Sequence, residues 1–104
     1  MAEYHLNKFT DAVNDFNRAL ELKPDFLEAW ENRGMVNIEL NDFEGALSDL
    51  TKAISFKQDA GAAWYFRGIA FSKLNKITEA VEDWKKAMKL GYSKAVEMIK
   101  RYNE

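Results

Sequence analysis

Apolar and small residues recur along this chain at i, i+4 and i+7, as Ala12, Phe16 and Ala19, again as Ala46, Leu50 and Ala53, and once more as Ala80, Trp84 and Ala87. That spacing puts each trio on one face of an α-helix and predicts a packing seam. The trios are 34 residues apart, and the same shift superposes Asn7, Asn41 and Asn75; Asp15, Asp49 and Asp83; and Leu6, Leu40 and Leu74. Between the seams runs a second helical pattern, Trp30 with Gly34 and then Trp64 with Gly68 and Phe71. A glycine inside a helix costs about 1 kcal/mol relative to alanine, so its return at one phase beside a tryptophan points to a close helix–helix approach rather than a turn. Each unit therefore reads as two helices. The expected helices cover about 10–22, 28–40, 44–56, 62–74, 78–90 and 94–102, with a short stub at 1–6.

The intervening residues fit this division. Asp25, Asp59 and Ser93, one period apart, stand before helical stretches as candidate N-caps, because their side chains accept hydrogen bonds from free amides. Asn7, Asn41 and Asn75 fall between the two helices of each unit, where asparagine tolerates the left-handed backbone of a tight turn. Pro24 closes the first unit, and Gln58 and Tyr92 hold the corresponding later positions.

Trp30, Gly34, Phe43, Ala46, Leu50 and Ala53, their counterparts Trp64, Gly68, Phe71, Ile77, Ala80, Trp84 and Ala87, and the leading Phe9, Ala12, Phe16, Ala19 and Pro24 together resemble the tetratricopeptide repeat signature over nearly the whole chain. The resemblance implies an all-α, right-handed solenoid of antiparallel helix pairs, about two and a half repeats with a C-terminal capping helix. In that frame residues 1–26 are a truncated first repeat, 27–60 and 61–94 are full repeats, and 94–104 is the cap. Because residue 1 corresponds to the ninth position of a unit, the first unit lacks its Trp/Gly half, which makes the N-terminal end look cut. Arg33 and Arg67 depart from the signature, which favours leucine there, and Asn37 departs from its tyrosine.

The arginines themselves repeat, as Arg33, Arg67 and Arg101, in step with Asp15, Asp49 and Asp83. Two pairings are open. Within a unit, Arg33 meets Asp49 and Arg67 meets Asp83; between units, Asp15 meets Arg33, Asp49 meets Arg67 and Asp83 meets Arg101. The second closes all three pairs and is the expected one, with the pairs partly buried at the joints between units.

Composition narrows the function. With no cysteine and one histidine, His5, the chain has no thiol chemistry, no histidine metal cluster and no zinc-binding HExxH helix. It has neither a GxGxxG or GxxxxGK[ST] phosphate loop nor a GxSxG elbow, and its carboxylates, such as Asp11, Glu44, Glu79 and Glu82, fall on helix positions expected to face water. Catalysis and cofactors are not expected. The longest apolar run, Ala62 to Phe66, is far short of the roughly 18–20 residues that cross a bilayer, so a cytoplasmic location away from membranes is the expectation. Nucleic acid is not an expected partner either, since the net charge is −2 and no continuous basic stripe is present. The charge is uneven: residues 1–72 carry seven Lys/Arg against twelve Asp/Glu, residues 73–104 eight against five.

What remains is a surface. In a stack of helix pairs the first helices line a concave wall, and the residues left over from the seam point into it. These are Glu28, Glu31, Asn32, Met35, Ile38 and Glu39 in one unit, and Ala62, Tyr65, Phe66, Ile69, Ser72 and Lys73 in the next. Met35, Tyr65, Phe66 and Ile69 form an apolar strip for a peptide or partner helix, Asn32 offers hydrogen bonds to a peptide backbone, and Lys73 offers a charge to a carboxylate. The resemblance also implies a test of the carboxylate clamp that some members use; Asn32 fits it, but Glu31 stands where lysine is needed. The expected activity is a protein-interaction module, with self-association through the incomplete first unit as the alternative.

Overall fold

The computed structural model describes residues 2–102, with side chains from residue 8 onward, and all six elements are helices: α1 (Ala2–Leu22), α2 (Leu27–Glu39), α3 (Phe43–Phe56), α4 (Gly61–Lys73), α5 (Ile77–Lys89) and α6 (Lys94–Tyr102). Each helix packs on the next, and α2 also touches α4, the arrangement of an all-α helical-repeat solenoid. The Asn41 turn joins α2 to α3 and the Asn75 turn joins α4 to α5. His5 and Leu6 lie outside the residues whose side chains are described.

The turns inside the units follow the sequence expectation. Asn41 and Asn75 each have φ of 62°, and the amide of the next residue reaches back to close the preceding helix, from Asp42 N to Asn37 O at 2.8 Å and from Lys76 N to Phe71 O at 2.9 Å. At the α5–α6 joint Gly91, with φ of 92°, takes the same left-handed role.

Two local expectations are corrected. The break at Asn7 is absent: α1 runs unbroken through it. Asn41 and Asn75 turn where a full helix returns against the one before it, whereas at Asn7 the backbone stays helical. Asp25 and Asp59 do not cap. The capping positions are Phe26 and Ala60, neither with a side-chain bond, so the two aspartates sit one residue too early, in the turn. The side-chain cap is instead Asp42, which accepts from Gly45 N at 3.0 Å.

The seams are the core. Ala46, Leu50 and Ala53, and Ala80, Trp84 and Ala87, are fully buried. A Cβ added to Gly34 would lie 2.7 Å from Leu50 Cγ, and one added to Gly68 would lie 2.5 Å from Trp84 Nε1, so the recurring glycines do mark the closest approach of paired helices. Trp30 and Trp64 are half-buried and donate Nε1 to the carbonyls of Pro24 (2.8 Å) and Gln58 (2.9 Å). The acceptor is main chain, which explains why glutamine can replace the proline.

Candidate functional site

Two side-chain systems recur with the repeat. The first ties the helices together. Arg33 donates Nε and Nη2 to Asp49 at 2.8 and 2.6 Å, and Nη1 to Asn17 Oδ1 at 2.6 Å; Asn37 adds a bond to Asp49 at 2.9 Å. Arg67 makes the same fork to Asp83, both bonds 2.8 Å, and reaches Thr51 Oγ1 at 3.3 Å. Each guanidinium thus joins three consecutive helices and lies over its own tryptophan, 5.0 Å from the Trp30 ring and 4.9 Å from the Trp64 ring.

This corrects the expected pairing: the ion pairs form within units, not between them. Arg33 and Asp49 are equidistant from the Asn41 turn, so the antiparallel helices bring them level. Arg33 also touches α1, but through Asn17; Asp15, two residues earlier and about 200° around the helix, is turned away and exposed. Asp49 and Asp83 are buried, whereas Asp15 and Arg101 are exposed and make no ion pair among the described residues. Burial pushes the Asp83 carboxyl above the usual carboxylate range, with the Arg67 hydrogen bonds opposing it; the bond to Asp49 raises Arg33.

The second system is a surface. Phe9 of α1, Met35, Val36 and Ile38 of α2, and Phe66 and Ile69 of α4 enclose an almost wholly apolar hollow of about 360 Å³, with Glu39 at its edge. The hollow thereby brings together Met35, Ile38, Glu39, Phe66 and Ile69. Phe9 and Val36 were not foreseen as groove residues. Phe9 shares its register with Phe43 and Ile77 and reads as seam; it opens onto the hollow beside α2 and α4.

The other groove candidates separate. Tyr65 is a correction: only 8% exposed, it is packed among α4, α5 and α6, edge-on to Phe66 and 5.0 Å from the Tyr92 ring, and burial raises its phenol pKa. Helical periodicity cannot tell an aromatic facing a ligand from one facing the next helix. Ser72 spends its hydroxyl on Ile69 O at 2.7 Å. Glu28, Asn32 and Lys73 are exposed, outside the hollow. Glu31 is half-buried; desolvation raises its carboxyl pKa, Lys57 opposes the rise and Glu28 adds to it. Among the described residues no group of His, Asp or Glu side chains is arranged to hold a metal ion, and no helix is long and apolar enough to cross a membrane.

A run of stacked helix pairs with this seam is the architecture of a helical-repeat protein. The tetratricopeptide repeat model matches residues 1–59 and 38–91, and the chain belongs to that family. A search of curated proteins returns no match. Solved structures agree on the fold. The first TPR of Spaghetti (RPAP3) bound to the HSP90 peptide SRMEEVD superposes with a TM-score of 0.90 at 22% identity, covering 96% of this chain and 81% of that one. The second TPR of Spaghetti (RPAP3), bound to the same peptide, gives 0.79 at 25% identity over 84% and 81%. The Arabidopsis OM64 TPR domain gives 0.84 at 27% over 96% and 87%.

Proposed function

We propose that this chain is a non-catalytic protein-interaction module that receives apolar side chains of a peptide or partner helix in the hollow between α1, α2 and α4. The observation that carries the reading is the hollow itself, where six apolar side chains from three helices converge at a surface. At about 360 Å³ it stands near the low end of the roughly 300–1,000 Å³ typical of ligand pockets, enough for a short anchor. Peptide-bound TPR domains of the same fold support the class of activity. The charge nearby differs from what a terminal carboxylate needs: Glu39 stands at the edge of the hollow and Glu28 and Glu31 lie farther along α2, outside it, which favours a neutral or basic partner.

The test is selection from a displayed random-peptide library. Peptides that bind are expected to share an apolar anchor, to bind with micromolar affinity given so short a groove, and to lose about tenfold or more on the Met35→Glu/Ile69→Glu variant, because a charge must then be desolvated in the hollow. The peptide SRMEEVD is expected to bind no better than a scrambled control. Peptides that bind the variant as tightly as wild type, or strong binding of SRMEEVD, would refute the assignment.

A further inference from the structure

The side of α4 turned away from the apolar hollow carries a second hollow of different chemistry. Trp64 and Phe66 lie about 200° apart around the helix. The hollow beside Trp64, of about 410 Å³, shares no lining residue with the one at Phe66. It opens between α3 and α5 over α4, so its walls come from the middle of the stack. α3 supplies Thr51, Ile54 and Ser55, α4 supplies Trp64 and Arg67, and α5 supplies Lys86.

The charged groups on these walls are both cations. Arg67 and Lys86 lie over the Trp64 ring, with Cζ at 4.9 Å and Nζ at 5.8 Å from its centre. Asp83 takes Nε and Nη2 of Arg67, but it lines only an adjoining hollow. Nη1 reaches instead toward Thr51 Oγ1, through a bond of 3.3 Å. Thr51 accepts that bond, which leaves its own hydroxyl proton to donate. Among the described residues Lys86 makes no ion pair. One period earlier the same positions are closed: Asn17 holds Arg33 Nη1 at 2.6 Å, Lys52 rests 5.3 Å over the Phe56 ring, and Glu21 stands where Ser55 does. The repeat thus satisfies this guanidinium edge in one unit and leaves it open in the next.

We infer that this hollow receives an acidic peptide segment of a partner protein, with an apolar side chain against Trp64 and Ile54 and a neighbouring Asp or Glu carboxylate accepting from Arg67 Nη1, Lys86 Nζ and Thr51 Oγ1. The aromatic wall takes the apolar group, and hydrogen bonds from cations to a carboxylate are about twice as strong as neutral ones. A volume of about 410 Å³ lies within the roughly 300–1,000 Å³ of ligand pockets and suits two side chains. A single negative charge fits better than the nearly double charge of a phosphate, because Glu79, Glu82 and Asp83 of the adjoining hollow outnumber the two cations. The preference is opposite to that of the apolar hollow, where Glu39 stands at the edge, so the two faces of α4 select different segments.

NMR titration of the 104-residue chain with blocked dipeptides tests this. N-acetyl-Phe-Glu-amide is expected to shift the Trp64 indole N–H signal, whose donor bonds Gln58 O at the hollow, and to bind with a Kd of roughly millimolar, as suits so small a ligand on an open surface. That is too weak for selection of micromolar peptides to recover. N-acetyl-Phe-Gln-amide, neutral and of the same shape, is expected to bind about fivefold more weakly, and the dipeptide with phosphoserine in place of glutamate to bind no tighter. Lys86→Glu and Ser55→Glu each set a carboxylate in the wall and are expected to weaken N-acetyl-Phe-Glu-amide about tenfold. Both positions are exposed, so thermal unfolding should hardly move, which separates lost binding from lost folding. Met35→Glu/Ile69→Glu is expected to bind this dipeptide as wild type does. Equal binding of the glutamine form, tighter binding of the phosphoserine form, undiminished binding to either single glutamate variant, or shifts centred on Phe66 and Ile69 would overturn the inference. Each of these outcomes leaves the apolar hollow to its own test.

Discussion

Arg67→Leu is expected to destabilise the protein by about 3–5 kcal/mol at pH 7, while Arg67→Leu combined with Asp83→Leu is expected to return to within about 1 kcal/mol of wild type. The single change leaves a carboxylate whose side chain is only 6% exposed without its bidentate partner, and withdraws the guanidinium that bridges α3, α4 and α5. The double change removes the charge as well, and leucine is the residue the repeat pattern favours at the arginine position. Burial already raises the Asp83 carboxyl above its unfolded value, and without Arg67 nothing opposes that shift. The folded state of the single variant then holds a proton that the unfolded state releases. Its penalty is fully present above the folded pKa and shrinks as the pH falls toward the unfolded value. Urea unfolding of wild type, Arg67→Leu, Asp83→Leu and the double variant at neutral and mildly acidic pH checks both points. Additive losses in the double variant, or a single-variant penalty that grows in acid, would contradict the buried-pair account.

Trp84→Ala is expected to cost a similar amount, about 3–5 kcal/mol, by emptying the largest fully buried side-chain site among the described residues. The indole rests against Gly68, where a Cβ would already be too close, and donates Nε1 to Tyr65 O at 3.1 Å. Alanine leaves a cavity against α4 and removes the indole's hydrogen bond to that helix. Trp64→Ala, at a half-buried site, is expected to cost less. The consequence reaches the hollow, because α4 carries Phe66 and Ile69 on the helix that Trp84 holds. Peptide affinity should therefore fall with Trp84→Ala although Trp84 touches no ligand. Equal stabilities for Trp84→Ala and Trp64→Ala in urea would show that the seam is not the main source of stability.

The extent to which these features were legible from the residues differs by kind. Five of the six helices start and stop within one residue of the expected positions, because a 3.6-residue period, a recurring asparagine turn and a 34-residue repeat all constrain the same boundaries. The first helix was misjudged because Asn7 carries the turn residue but the backbone there stays helical. Asp25 and Asp59 have capping side chains but stand one position early, an offset that a cap preference alone cannot resolve.

The amino-acid order by itself determined the class of fold, the glycine-against-large-side-chain seam, the repeated arginines and aspartates, and four of the residues that line the hollow together with its acidic edge. Only the packed structure decided which aspartate each arginine takes, since Asp15 and Asn17 are two positions apart in the chain but on opposite sides of α1. Packing likewise sent Tyr65 inward and left Phe66 beside it at the surface, and turned Phe9 from a seam residue into a wall of the hollow. Periodicity specifies the angle of a side chain about its own helix. What lies at that angle depends on the neighbouring helix.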